Sequence, residues 1–169
     1  MKTATITINK SYVLYDVDSL TYKRVDGVMS EQSDRLKNAI SSDSEEELDR
    51  IMLYRYMDDK DANLKRKLAF CLVKDEGKEL AASNAPSTDK PAYEYKLNVP
   101  DTWDADMVAA LSARIHQYIV DGTAYDWYSR QGLEFSVSAS ELEDRLTKLA
   151  ASLRKPFVNR PLQPFGPAN

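Results

Sequence analysis

Tyr93-Glu94-Tyr95-Lys96-Leu97-Asn98-Val99-Pro100, together with the run from Asp101 to Gly132 that follows it, decides how this chain folds. The first seven residues alternate apolar and polar side chains, which puts every second one on the same face of a strand. Tyr93, Tyr95, Leu97 and Val99 are therefore expected on the buried side. After Pro100 the period changes. Val108, Leu111, Ile115, Tyr118, Ile119 and Gly122 recur at intervals of three and four, the stripe of an amphipathic helix with one face in a core. Asp101 or Thr102 is the expected cap. The helix should end between Trp127 and Gln131, with Gly132 as the stop, since glycine tolerates the left-handed turn that closes many helices. Phe135 and Val137 suggest a short extended piece beyond it.

Ser138-Ala139-Ser140-Glu141 then has the form of a capping box, in which hydroxyl and carboxylate satisfy each other's orphan backbone donors. Leu142, Leu146, Leu149 and Leu153 follow at four, three and four. Arg154 and Lys155 suit the negative end of the helix, and Pro156 is the expected stop. Four prolines from 156 onward favour an extended arm, 156–169, that still carries Phe157, Val158, Leu162 and Phe165. A merely solvating tail has little use for those side chains. Docking on a neighbouring subunit is the favoured expectation, ahead of folding back or disorder.

Toward the N-terminus, the turn-rich stretch Ser83 to Pro91 reads as a linker. Residues 3–8 alternate like a strand. Residues 11–24, with Tyr12, Val13, Leu14, Tyr15, Val17, Leu20 and Tyr22, fit either an aromatic-rich helix or a pair of strands, closed by Gly27. A short helix is expected over 30–40, carrying Leu36 and Ile40. A further helix should begin after Ser41 to Ser44, with Glu45, Glu46 and Glu47 in its first turn and Leu48, Ile51, Met52 and Tyr56 along one face. After Asp58-Asp59 another helix should bury Leu64, Leu68, Cys71 and Leu72, with Gly77 near its end. The chain thus reads as mainly α with one or two short strands and an extended Pro-rich arm. Its parts are 1–82, 83–91, 92–155 and 156–169, within one domain.

Composition narrows the chemistry. The 169 residues hold 23 Lys and Arg against 27 Asp and Glu, a net charge of −4, and one each of His and Cys. An acidic balance argues against a dedicated duplex binder. One Cys excludes an internal disulfide, and one Cys with one His cannot make an ordinary protein-only zinc site. Five glycines leave little for phosphate-cradling loops, and no nucleotide, hydrolase or metalloprotease motif occurs. Neither a signal peptide nor a membrane span is legible, and Cys71 reads as core in a reducing compartment. His116 lacks a partner at ligand spacing. Asp104, Asp106, Asp121 and Asp126 could pair only if the fold brought them together. No catalytic residue, metal or cofactor is expected. Lys65, Arg66 and Lys67 form a basic cluster that reads as a solvated face, with nucleic-acid contact as its second reading. Tyr125, Trp127 and Tyr128 suit core packing first and a subunit interface second.

The ordered pattern over 92–156 resembles a protein family encoded among the virion genes of tailed bacteriophages and of prophages in Bacteroides-type gut bacteria. Its marks here are the segment Tyr93 to Pro100, Trp103-Asp104, the body Leu111 to Val120, the pair Trp127-Tyr128, and the last helix Glu141 to Pro156 ending Leu153-Arg154-Lys155-Pro156. The layout is also similar to helical head–tail connectors, neck adaptors that form rings, often of twelve copies, beneath the portal. The resemblance implies a non-enzymatic structural virion protein. Its implied partners are copies of itself, the portal, and tail or other neck proteins, with genomic DNA passing through the lumen and no membrane. A tail-completion or tail-proximal component is the alternative within this class. A packaging accessory binding nucleic acid through Lys65, Arg66, Lys67, Arg154 and Lys155 is the alternative outside it. A net-negative chain suits a lumen that DNA must traverse without sticking.

Overall fold

The computed structural model describes residues 1–25, 47–73 and 90–158, with side chains over 1–21, 50–73 and 90–154. Gly27, the helix expected over 30–40, the cap at 41–46, Gly77, the 83–89 part of the linker, Leu162 and Phe165 lie outside the described residues. Within them the protein is mainly α. In chain order the elements are β1 (Lys2–Asn9), α1 (Lys10–Val25), α2 (Glu47–Lys67), β2 (Ala92–Val99), α3 (Ala105–Arg130) and α4 (Ala139–Val158).

β1 and β2 pair antiparallel over their full lengths, from Lys2 opposite Val99 to Asn9 opposite Ala92. The alternation read from sequence holds in both strands. Ala4, Ile6 and Ile8 of β1 and Tyr93, Tyr95, Leu97 and Val99 of β2 are buried, and the intervening side chains face outward. Elements distant in sequence thereby share one hydrophobic core. At the far edge of β2 the chain after α2 makes a single bridge, Leu72 opposite Leu97.

Residues 11–24 are helix. The aromatic residues obscured this because they are not its buried face: Val13, Val17 and Thr21 are, at intervals of four, while Tyr12 and Tyr15 are exposed. A second difference concerns Asp58-Asp59, where one continuous helix, α2, replaces the two expected. Asp58 does not turn back on its own backbone as a breaker would, because its carboxylate accepts from the Tyr93 hydroxyl. The buried line of α2 is Leu53, Met57, Asp61 and Leu64. Ile51, Met52 and Tyr56, expected on that line, are only partly covered.

α3 is the hub, packed on α1, α2, α4 and β1. Its stripe is buried as expected from Leu111 through Gly122, with Val108 partly covered. The cap is Asp104 rather than Asp101 or Thr102. Trp103 N–H closes a turn onto Pro100 C=O at 3.1 Å, which delays the helix, and Asp104 Oδ1 accepts from Met107 N–H at 2.9 Å. At the other end Gly132, at φ 70°, lets Leu133 N–H reach Tyr128 C=O and its own N–H reach Ser129 C=O. That double closure satisfies carbonyls the helix would leave orphaned. Gly122 has a different reason: the stem of Lys60 crosses it so closely that a Cβ would sit 2.9 Å from Cδ. Residues 134–138 are neither helix nor paired strand, and Phe135 and Val137, expected in a short extended piece, both pack on the core.

α4 opens on the capping box read from sequence. Ser138 N–H donates to Glu141 Oε2 at 2.8 Å and Glu141 N–H donates to Ser138 Oγ at 3.2 Å, and these bonds hold the Glu141 carboxyl below its usual range. Leu142, Leu146, Leu149 and Leu153 are buried. Pro156 does not stop the helix. α4 continues to Val158, although Pro156 brings no backbone donor to its last turn. Phe157 and Val158 therefore belong to α4, not to an extended arm.

Candidate functional site

The titratable residues resolve into local pairs. On the sheet side of α2, Asp58 and Asp61 stand one helical turn apart and meet Tyr93 and Tyr95, two residues apart on β2. Each hydroxyl donates to its carboxylate at 2.6 Å. Burial first, and the neighbouring carboxylate second, push both phenols far above their usual range, so they remain neutral donors. Two cations complete the ladder. Lys10, only 3% exposed, lies 3.7 Å from Asp58 and over the Tyr93 ring at 4.5 Å, and Lys65 binds Asp61 at 2.6 Å. This is a buried polar seam joining helix to strand.

The carboxylates considered as acid–base candidates are held apart. Asp121 pairs with Arg145 of α4 and accepts from Gln117. Asp126 pairs with Lys60 of α2 at 2.6 Å, and Asp104 is a cap. His116 has a partner that spacing did not reveal: its Nε2 lies 2.7 Å from Asp16 Oδ2, one hundred residues away on α1. Since an ionised carboxylate only accepts, the ring proton sits on Nε2. Ser112, one turn before His116, makes no hydrogen bond to it among the described residues. Among those residues no three His, Cys, Asp or Glu side chains gather to hold a metal ion. Cys71 is buried in the core as expected, and burial pushes its thiol up to about 11.

The interface candidates divide. Trp127 and Tyr128 are 0% and 2% exposed and pack edge to face at 5.3 Å, with Phe135 stacked on Tyr128 at 5.2 Å. They belong to the chain's own core, which corrects the interface reading for both: a side chain with no accessible surface offers none to a partner. Tyr125 is partly covered. The basic cluster is likewise engaged at home. Lys65 binds Asp61, Lys67 reaches Glu143 of α4 at 2.5 Å, and Arg66 donates to Asn63. Two of the three charges thus sit against carboxylates rather than presenting an unopposed basic face.

Sequence reading missed a surface. Tyr12 and Tyr15 of α1 are 65% and 72% exposed. Beside Tyr12 a groove of about 480 Å³ runs between the end of β1 and α3, floored by Ala109, Ser112 and Ala113 and flanked by His116. The signal lay in Tyr12 and Tyr15, three apart and off the Val13–Val17–Thr21 line, but it is readable only once residues 11–24 are known to be helix.

Asp18 of α1 carries a pH prediction. Burial pushes its carboxyl up to about 6, with Arg50 pulling the other way. A folded value above the unfolded one means the fold favours the protonated acid. The associated stability is complete below about pH 4 and is lost as pH rises through about 6. Because Asp18 is only half buried, solvent screening reduces the effect, and Asp18→Asn is expected to raise stability by about 1 kcal/mol at pH 7 and to change it little below pH 4, as read by denaturant melts at the two values.

No helix among the described residues is long and apolar enough to cross a membrane. No protein-family model, curated protein or solved structure matches the chain.

Proposed function

We propose that this chain is a structural subunit of a tailed-phage virion, a head–tail connector or neck adaptor that closes into a ring with copies of itself between portal and tail. The observation that carries the reading is the division of labour among its side chains. The carboxylates of its interior are consumed in intrachain pairs that fasten α2 to β2, α3 to α2 and α3 to α4. Large apolar side chains left on the surface include Tyr12, Tyr15 and Leu20, all on α1. Exposed tyrosines of this kind are what a subunit brings to a contact, and a ring forms when one such contact repeats about an axis. The resemblance of residues 92–156 to a virion-gene family supplies the setting. The acidic balance supports a lumen that repels DNA.

The surface facing DNA tests this setting. Images of the assembled particle should place an acidic face toward the channel, and a channel lined mainly by Lys65, Arg66 and Lys67 would contradict it.

A further inference from the structure

The open edge of β1 and the small-residue flank of α3 have the form of an extended-peptide groove, and we propose that it receives residues 159–169 of a neighbouring copy as a third strand. The inference rests on the assembly reading above and adds the contact that would make it.

Three backbone bonds fix which groups the edge offers. Val73 N–H donates to Lys96 C=O and Asn98 N–H to Cys71 C=O, so the even positions of β2 turn away from β1. Lys10 N–H donates to Pro91 C=O, which continues the same pairing beyond Asn9. Because N–H and C=O of one strand residue point the same way, Ala4, Ile6 and Ile8 bond to β2. Thr3, Thr5 and Thr7 then present their backbone groups to the other side, where no strand pairs among the described residues. Proteins usually guard such an edge with lysine, proline or a bulge. Thr3 to Asn9 contains neither residue and pairs without a bulge. A strand edge beside a helix is the arrangement by which extended peptides are captured, with backbone bonds for affinity and side-chain pockets for selection. Here Ala109 and Ala113 leave the room, and Tyr12 supplies an aromatic wall.

The C-terminal segment fits that groove by its chemistry. Pro161, Pro164 and Pro167 bias the residues before them toward extended backbone, so less freedom is lost on docking. If the even positions face β1, Arg160, Leu162, Gly166 and Ala168 can all donate, and Pro164 alone cannot. Pro161 and Pro167 then fall on the outward side, where a missing donor costs nothing. In that register Phe165 shares the face of Ile6 and Ile8 and turns toward Tyr12 and the alanines, whereas Leu162 lies on the opposite face beside the threonine side chains. A neighbour is the donor because α4, from which the segment continues, ends beside the opposite edge of the sheet: Arg154 lies 4.8 Å over the Phe70 ring, next to the Leu72–Leu97 bridge on the far side of β2.

Two differently tagged full-length chains, one with Ala113→Cys and one with Phe165→Cys, test this when mixed and oxidised. A disulfide between the two is expected in at least about tenfold excess over a pairing of Phe165→Cys with Asp144→Cys on exposed α4. The native Cys71 is buried and should stay reduced. Ala113→Trp, which fills the groove from an exposed position, should weaken self-association about tenfold while leaving circular dichroism unchanged. No excess cross-link, or a cross-link only within one chain carrying both cysteines, overturns the inference. Oligomers that persist undiminished in Ala113→Trp overturn it while leaving the assembly reading intact, whereas a chain that never self-associates defeats both.

Discussion

Trp127→Ala is expected to destabilise the chain by about 3–5 kcal/mol, a large fraction of what holds a domain of this size together. Trp127 is 0% exposed near the end of α3 and packs against Tyr128, which in turn stacks on Phe135 after the Gly132 turn. Its removal leaves a cavity where α3 meets the loop to α4, and the rigid helix cannot collapse to fill it. Trp127→Phe should be much milder. The indole Nε1 is buried without a hydrogen-bond partner among the described atoms, so its loss forfeits volume but no bond. Chemical denaturation separates the two. Equal costs for Ala and Phe would mean that the indole N–H, not the packing, matters at this position.

The second large effect lies in the helix–strand seam. Asp61→Ala is expected to cost about 2–3 kcal/mol, because Tyr95, fully buried, keeps its hydroxyl and loses the carboxylate that accepts from it. Lys65 loses its 2.6 Å partner as well, although its own partial exposure makes that the smaller share. The Tyr95→Phe, Asp61→Leu double variant removes both partners and should recover part of the loss. A double-mutant cycle on the pair should therefore show coupling of about 1 kcal/mol or more. Additive losses would mean that the seam is ornamental and that α2 is held by Leu53, Met57 and Leu64 alone.

These two sites differ in how visible they were from sequence. Strict alternation in 93–99, the stripe through α3, the Gly132 stop and the Ser138–Glu141 capping box were all legible, because each is a local pattern fixed by one element's own period or termini. What failed was non-local. Asp58-Asp59 resembles a break in sequence because the Tyr93 hydroxyl that donates to Asp58 comes from a distant strand, and the pairing of β1 with β2 cannot be read from either strand alone. His116 lacked a partner in sequence because Asp16 stands one hundred residues away. Trp127 and Tyr128 carry the same composition signal whether they fill a core or an interface, and only burial separates the two. Pro156 was read as the stop because a proline brings no backbone donor, yet α4 runs two residues past it to Val158.

Functional residues were the least legible part. No catalytic pattern was present to find, and the surface that now stands out depends on which side of α1 faces inward. Val13 and Val17 take the core, which leaves Tyr12 and Tyr15 outside beside the β1–α3 groove. The sequence counts that excluded phosphate loops and zinc sites could not reveal that surface.

The mass of the purified full-length chain in solution, followed by imaging of the particles formed, tests the central claim most directly. A structural ring subunit should give a discrete closed oligomer, built from 19.2 kDa copies, with a central channel. A single species at the monomer mass across the micromolar range would contradict it.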